Sequence, residues 1–165
     1  MLKTQLERKI KVFQCDGGGE FARTKFRDHI QGNGILLHIS CPATPEQNSV
    51  AERKHRHVVE LGLAMMFHAS TPTRYWVEAF GTAVFIINRP PSTVLDLDTP
   101  LHTLPGKSPD YTMLRVFGCQ CIPCLRPYVK NKLEPRSLEC IFLGYSEFHK
   151  GYRWMDISTG RIYVS

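Results

Sequence analysis

No stretch of this 165-residue chain approaches the run of about 18 apolar residues that a membrane helix needs. The N-terminus, MLKTQLERKIK, lacks the apolar core of a secretory signal. Neither a membrane span nor export is therefore expected. Acidic residues are scarce: 15 Asp and Glu stand against 21 Lys and Arg, giving a net charge of +6 and a pI near 9.1. A basic balance of this size favours a polyanionic partner. Internal repeats and low-complexity segments are missing. The six cysteines lack the pattern of a secreted disulfide scaffold and read as reduced, intracellular thiols. Cys119, Cys121, Cys124 and Cys140 are enough in number for zinc. However, Cys-x-Cys puts Cys119 and Cys121 on one face of a strand and Cys124 on the other, and buried strand thiols are the expected role.

What the chain does have is an acidic pair, Asp16 and Glu52, with 35 residues between them. Two carboxylates brought together by a fold can share divalent ions with a phosphodiester, as in two-metal sites. Asp16 ends a strand-like run, Lys9 to Cys15, in which polar and apolar residues alternate. Gly17, Gly18 and Gly19 then stop the strand and allow a sharp turn close to a ligand. Asp16 equally fits the start of that turn, where Asp is favoured. Glu52 falls in the first turn of a helix predicted from Val50 to His68, with Asn48 or Ser49 as N-cap. Ala51, Val58, Leu61 and Met65 recur at helical spacing and form its expected buried stripe. Glu52 lies one residue from that stripe, so it can border a core and still face a site; it also suits the helix dipole. Arg53, Lys54, His55, Arg56 and His57 follow without a break. Such a run serves a phosphate backbone, or is simply a solvated helix face.

Further along, a helix is expected near Glu20 to Gly32, a strand near Ile35 to Ser40 and an apolar helix from Tyr75 to Asn88, stopped by Pro90 and Pro91. Arg89 to Asp110, rich in Pro and polar residues, reads as linker. Short strands follow at Arg115–Leu125, Leu138–Tyr145, Gly151–Ile157 and Arg161–Ser165. Ser158, Thr159 and Gly160 form a hairpin turn with glycine at the left-handed position. The order predicts an α/β region over residues 1–110, then a small antiparallel barrel over residues 111–165. Arg126, Lys130, Lys132 and Arg136 form a candidate phosphate-contacting loop in the second part.

The stretches QCDGGGEF, CPATPEQNSVAERKHRH, YWVEAF, TAVFIINRPPS, TPLHTLPGKSP, LRVFGC, CIFLGY and KGYR resemble the integrase region of Ty1/copia-type retrotransposon Pol polyproteins. The resemblance runs from about Lys9 to Ser165. It implies a partial ribonuclease-H-like catalytic core followed by an SH3-like β-barrel. It also implies an Asp, Asp, Glu triad, in which Asp16 is the second acid and Glu52 the third. The implied activity is DNA integration by metal-dependent polynucleotidyl transfer in the nucleus. Water attacks a phosphodiester near the 3′ end of element DNA, and the new 3′-OH then attacks target DNA. Asp16 and Glu52 would ligate Mg²⁺ or Mn²⁺, hard cations suited to oxygen donors. Gln47, Asn48, Lys54 and Arg56 would position DNA. Partners are element-end and target DNA and further copies of the chain, with no membrane. Cys15 stands where the family often has Ser, and Ser49 where it often has Gly.

The first acid of the triad has no counterpart before Asp16. Glu7 lies in LKTQLERKI, which reads as a helix end, and the His/His/Cys/Cys zinc domain is also missing. The expectation is a truncated integrase that binds metal weakly and is inactive alone. The alternative is a catalytically dead DNA-binding or interaction remnant of a degraded element.

Overall fold

A computed structural model describes residues 9–19, 21, 23–41, 45–124, 126–128, 133, 137–146 and 149–164. Contacts divide the chain into two compact units, Met1–Arg56 and His57–Ser165.

In the first unit, β1 (Val12–Cys15) and β2 (Leu36–Ile39) pair in parallel, with Val12 opposite Leu36 and Cys15 opposite Ile39. Parallel neighbours need a crossover, and α1 (Thr24–Gly32) supplies it. Phe13, Phe21 and Phe26 close into a triangle with ring centroids 5.5–5.7 Å apart, fastening α1 to the strand. Ile30, one turn beyond Phe26, and Cys15 are buried as well. Gly34, at φ +66°, ends the helix. Its N–H reaches the Gln31 carbonyl and the Ile35 N–H reaches that of Ile30, the paired bonds of a Schellman cap. The helix expected from Glu20 begins at Thr24. The Phe21 N–H bonds back to the Gly18 carbonyl, so the chain is still turning there; Glu20 itself and Glu7 lie outside the described residues.

The second expected helix is α2 (Ser49–His68), entered directly from a 3₁₀ turn, Pro45–Asn48. Its buried stripe is shifted from expectation. Ala51 is exposed, Val58, Leu61 and Met65 are half-buried, and burial centres on Gly62 and Met66. The cause is Phe80, whose ring lies where a Gly62 Cβ would stand, 1.8 Å from Cδ1. Absence of a side chain lets an aromatic fill the line of contact.

In the second unit, a 3₁₀ turn, Thr73–Tyr75, leads into α3 (Trp76–Ile87). The strands β3 (Gln120–Cys121), β4 (Cys140–Tyr145), β5 (Tyr152–Asp156) and β6 (Ile162–Val164) form an antiparallel sheet in that order. α3 packs on β4 through small side chains. Ala79 and Ala83 are fully buried, and the Thr82 hydroxyl lies 3.4 Å from the Leu143 carbonyl. Met66, Tyr75, Phe117, Leu143 and Met155 complete this core, and Cys140, Phe142 and Trp154 form a second cluster. Glu78 of α3 and Arg153 of β5 close an ion pair at 3.0 Å, with Glu78 largely shielded.

Two expectations give way. Arg89 to Asp110 is folded rather than plain linker, with a 3₁₀ turn at Thr93–Leu95 and a short helix, α4 (Pro100–Thr103). Thr99 caps α4 by accepting from His102 N–H. Asp98 holds the Thr99 N–H at 2.7 Å, His102 Nδ1 at 2.8 Å and the Thr103 hydroxyl at 3.1 Å. The strand expected over Arg115–Leu125 shrinks to two residues. Gly118, at φ +78°, kinks the ladder, and Pro123 offers no N–H. Leu125 lies outside the described residues. The hairpin glycine is as expected, with Gly160 at φ +69°. Asp156 builds that turn: Oδ1 accepts from the Ser158 N–H and hydroxyl, and Oδ2 from Thr159.

Two predictions follow from this packing. Gly144, at φ +132°, would place a Cβ 2.3 Å from Thr82 Oγ1. Gly144→Ala should lower stability by about 1–3 kcal/mol in urea unfolding; an unchanged midpoint would refute the α3–β4 contact. The turn bonds hold the Asp156 carboxyl down at about 2. Its stabilising charge is therefore complete above the ordinary carboxylate range and lost as pH falls through about 2. Asp156→Asn should weaken the fold at neutral pH and flatten the loss of melting temperature between about pH 4 and pH 2; an equal fall in both proteins would contradict this.

Candidate functional site

Asp16 sits at the end of β1, exposed, where the chain turns away from the sheet. Gly17 has φ +77°, and a Cβ there would stand 3.0 Å from Ile39 Cγ2. Glycine is required both for the backbone angle and for passage over β2. Asp16 Oδ1 accepts the Gly18 N–H at 3.1 Å. The residue thus does build the turn, with one carboxylate oxygen; its other oxygen takes no bond among the described residues.

Glu52 occupies the first turn of α2 and is exposed. Its side chain has no hydrogen bond or ion pair among the described residues, and neither have those of Lys54, His55, Arg56 and His57. Arg53 alone bonds locally, its Nε donating to the Ser49 carbonyl at 3.3 Å. Among the described residues, then, the cations after Glu52 are not spent on carboxylates.

Gln47 has a role that its sequence position did not show. Its carbonyl accepts from Gln14 Nε2 at 2.7 Å, and its Oε1 accepts the Cys41 N–H at 3.0 Å. Gln14 stands two residues before Asp16, and Gln47 five before Glu52. This pair ties the strand of one acid to the turn that launches the helix of the other. Gln14 was legible only as an outward polar residue of an alternating strand. Asn48, also expected to face DNA, is half-buried at the end of the 3₁₀ turn, while Lys54 and Arg56 are exposed.

No three His, Cys, Asp or Glu side chains among the described residues are grouped so as to hold a metal. Asp16 and Glu52 offer oxygen donors of the right chemistry for a hard cation, but they do not form a complete ligand set. Cys119 and Cys121 both pack against the Cys140–Phe142–Trp154 cluster, on one face as expected, whereas Cys124 is exposed and bridges to Ser137. Burial, with Cys140 and Cys119 close by, pushes the Cys121 thiol up to about 12; it stays protonated and lies 3.3 Å from the Cys140 carbonyl. None of the six cysteines is in a disulfide. Arg126 is exposed, while Lys130, Lys132 and Arg136 lie outside the described residues. No described helix is long and apolar enough to cross a membrane.

Residues 119–165 match the family model "Retroviral polymerase SH3-like domain". All 165 residues align at 45% identity with the "Retrovirus-related Pol polyprotein from transposon RE2" of Arabidopsis thaliana. A further 35% identity over 156 residues, 94% of the chain, links it to the corresponding polyprotein from transposon TNT 1-94 of Nicotiana tabacum. The chain belongs to the retrovirus-related Pol polyproteins of copia-type transposons. It spans 11% and 12% of the length of these two Pol relatives. Its fold is similar to that of a chain in the "CryoEM structure of simian T-cell lymphotropic virus intasome in complex with PP2A regulatory subunit B56 gamma". The TM-score is 0.52 at 16% identity, covering 98% of this chain and 57% of that one. At that identity the likeness concerns the fold alone.

For this Pol segment the Gln47 clamp makes a simple prediction. Gln47→Ala should speed hydrogen exchange at the Cys41 amide without any DNA present, and cost about 0.5–1.5 kcal/mol of stability. Exchange and stability equal to wild type would return Gln47 to a purely DNA-facing role.

Proposed function

We propose that this segment serves DNA integration as part of a copia-type integrase, with Asp16 and Glu52 among the carboxylates for Mg²⁺ or Mn²⁺ and Lys54 and Arg56 on the DNA backbone. The observation that carries the reading is the Gln14–Gln47 bond, which couples the Asp16 strand to the start of the Glu52 helix. The parallel β1–α1–β2 unit followed by α2 is what a ribonuclease-H-like core would contribute. The four-stranded sheet is what an SH3-like barrel would contribute. A nuclear site of action and a homo-oligomer belong to the same reading; exposed Phe67 and Trp76 offer apolar surface for a second copy.

With no three metal-ligating side chains grouped among the described residues, the chain by itself is expected to be inactive. Nucleic-acid binding without catalysis is the second reading, favoured by the use of Asp16 Oδ1 in its own turn. A strand-transfer assay in Mn²⁺ separates the two from a self-sufficient enzyme. Product should stay at background for the wild-type chain and for Asp16→Asn. Robust transfer that Asp16→Asn abolishes would show that the chain carries a complete site.

A further inference from the structure

We propose that Arg74 and Arg161 form a DNA-backbone contact surface within the unit His57–Ser165, separate in sequence from the Lys54/Arg56 run. The idea rests on the nucleic-acid reading above and adds a site to it.

The two arginines come from different elements and meet at one turn. Arg74 lies in the 3₁₀ turn before α3, and Arg161 follows the β5–β6 turn. Arg74 Nη2 lies 3.8 Å, and Tyr75 Oη 3.7 Å, from where a Cβ on Gly160 would stand, one residue before Arg161. Each guanidinium rests on a tyrosine ring: Arg74 Cζ is 4.8 Å from the Tyr75 centroid, and Arg161 Cζ 5.2 Å from that of Tyr163. Both rings belong to buried residues. Tyr75 sits in the main core of this unit, and Tyr163 packs edge-on against Tyr128 at 5.0 Å. The arginine side chains themselves are exposed.

Among the described residues neither arginine has a carboxylate partner. The described ion pairs are Asp98–His102 and Glu78–Arg153. Among the described residues two acids adjoin the turn. Asp156 is buried, with its oxygens taken by Ser158 and Thr159. Glu139 is exposed, and its carbonyl accepts the Ile157 N–H. The surface therefore presents two exposed cations, each resting against a tyrosine ring. Holding the side chains on rings lowers the ordering cost of each contact.

That arrangement suits phosphates rather than bases. Single-strand binders stack bases on open aromatic faces, and here the guanidiniums already occupy those faces. What remains is charge and N–H donors, which read a duplex backbone without sequence preference.

The test is fluorescence anisotropy with a labelled mixed-sequence duplex and a single strand of equal length, across a salt series. Arg74→Gln with Arg161→Gln should weaken duplex binding about tenfold at low salt and flatten the slope of log K against log salt by about two. Ile157→Glu, which leaves both arginines on their rings and adds a carboxylate beside the turn, should weaken it in the same direction; this covers the case in which the double variant unfolds. Unchanged duplex binding in both variants, while Lys54→Ala with Arg56→Ala does weaken it, would overturn this surface and leave the DNA reading standing. A loss confined to the single strand would likewise overturn it. A wild-type chain that binds neither probe at low salt would remove the DNA reading and this surface together.

Discussion

The contact between α3 and β4 governs the larger unit, and it depends on how little side chain lies between them. Ala79 and Ala83 have no exposed surface, Thr82 is almost fully buried, and Gly144 leaves the strand bare where Thr82 arrives. Helix and sheet can then approach closely enough for Leu143 and Phe142 to be fully enclosed. Larger residues on either side would hold the layers apart and open the core to water. The aromatic groups at the margins follow from that approach. Phe85 of α3 stacks on Tyr145 of β4 at 3.6 Å, nearly parallel, and Tyr145 in turn accepts the Arg115 N–H through its hydroxyl. The segment matched by the SH3-like family model thus has its inner face covered by a helix outside that match.

Two aspartates show how the same local chemistry can serve different ends. Asp156 and Asp16 both follow or end a strand, and both accept an N–H from two residues on. Asp156 uses both oxygens on its turn and is buried. Asp16 uses one and is exposed. An exposed carboxylate with one oxygen fixed by its own backbone and the other without a bond among the described residues is oriented, yet still able to accept a ligand. The turn-forming and ligand-binding readings of Asp16 are therefore compatible.

Most helices and hairpin strands were legible because their signals are local. The apolar density of Trp76 to Ile87, the periodicity of Ser49 to His68 and the glycine at 160 each reflect chemistry within a few residues. What was hidden depended on partners distant in sequence. The stripe of α2 is displaced because Phe80 occupies the notch at Gly62, and no periodicity within α2 reveals that. α4 was lost in a segment read as linker, although Thr99 and Pro100 are a helix start; its four residues are too short for a periodic pattern. At the candidate site, Asp16, Glu52 and the cationic run were legible from residue type and spacing. The Gln14–Gln47 bond was not, because it joins residues 33 positions apart through a side-chain amide and a backbone carbonyl.

That bond also shifts where selection on the site would act. Gln47 carries polar groups suited to DNA, but two of its acceptors are committed within the unit, to Gln14 and to the Cys41 N–H. Replacing it alters how α2 is launched before it alters any DNA contact. Among the described residues Lys54 and Arg56 have no such internal duty, so under the proposed DNA role their charge would be available without breaking anything first. Under the proposed DNA role, turn residues near the acids would set geometry and the exposed cations would set affinity. Electrostatic attraction falls with salt, whereas the hydrogen-bonded frame around Asp16 should not, so the two contributions separate experimentally along the ionic-strength axis.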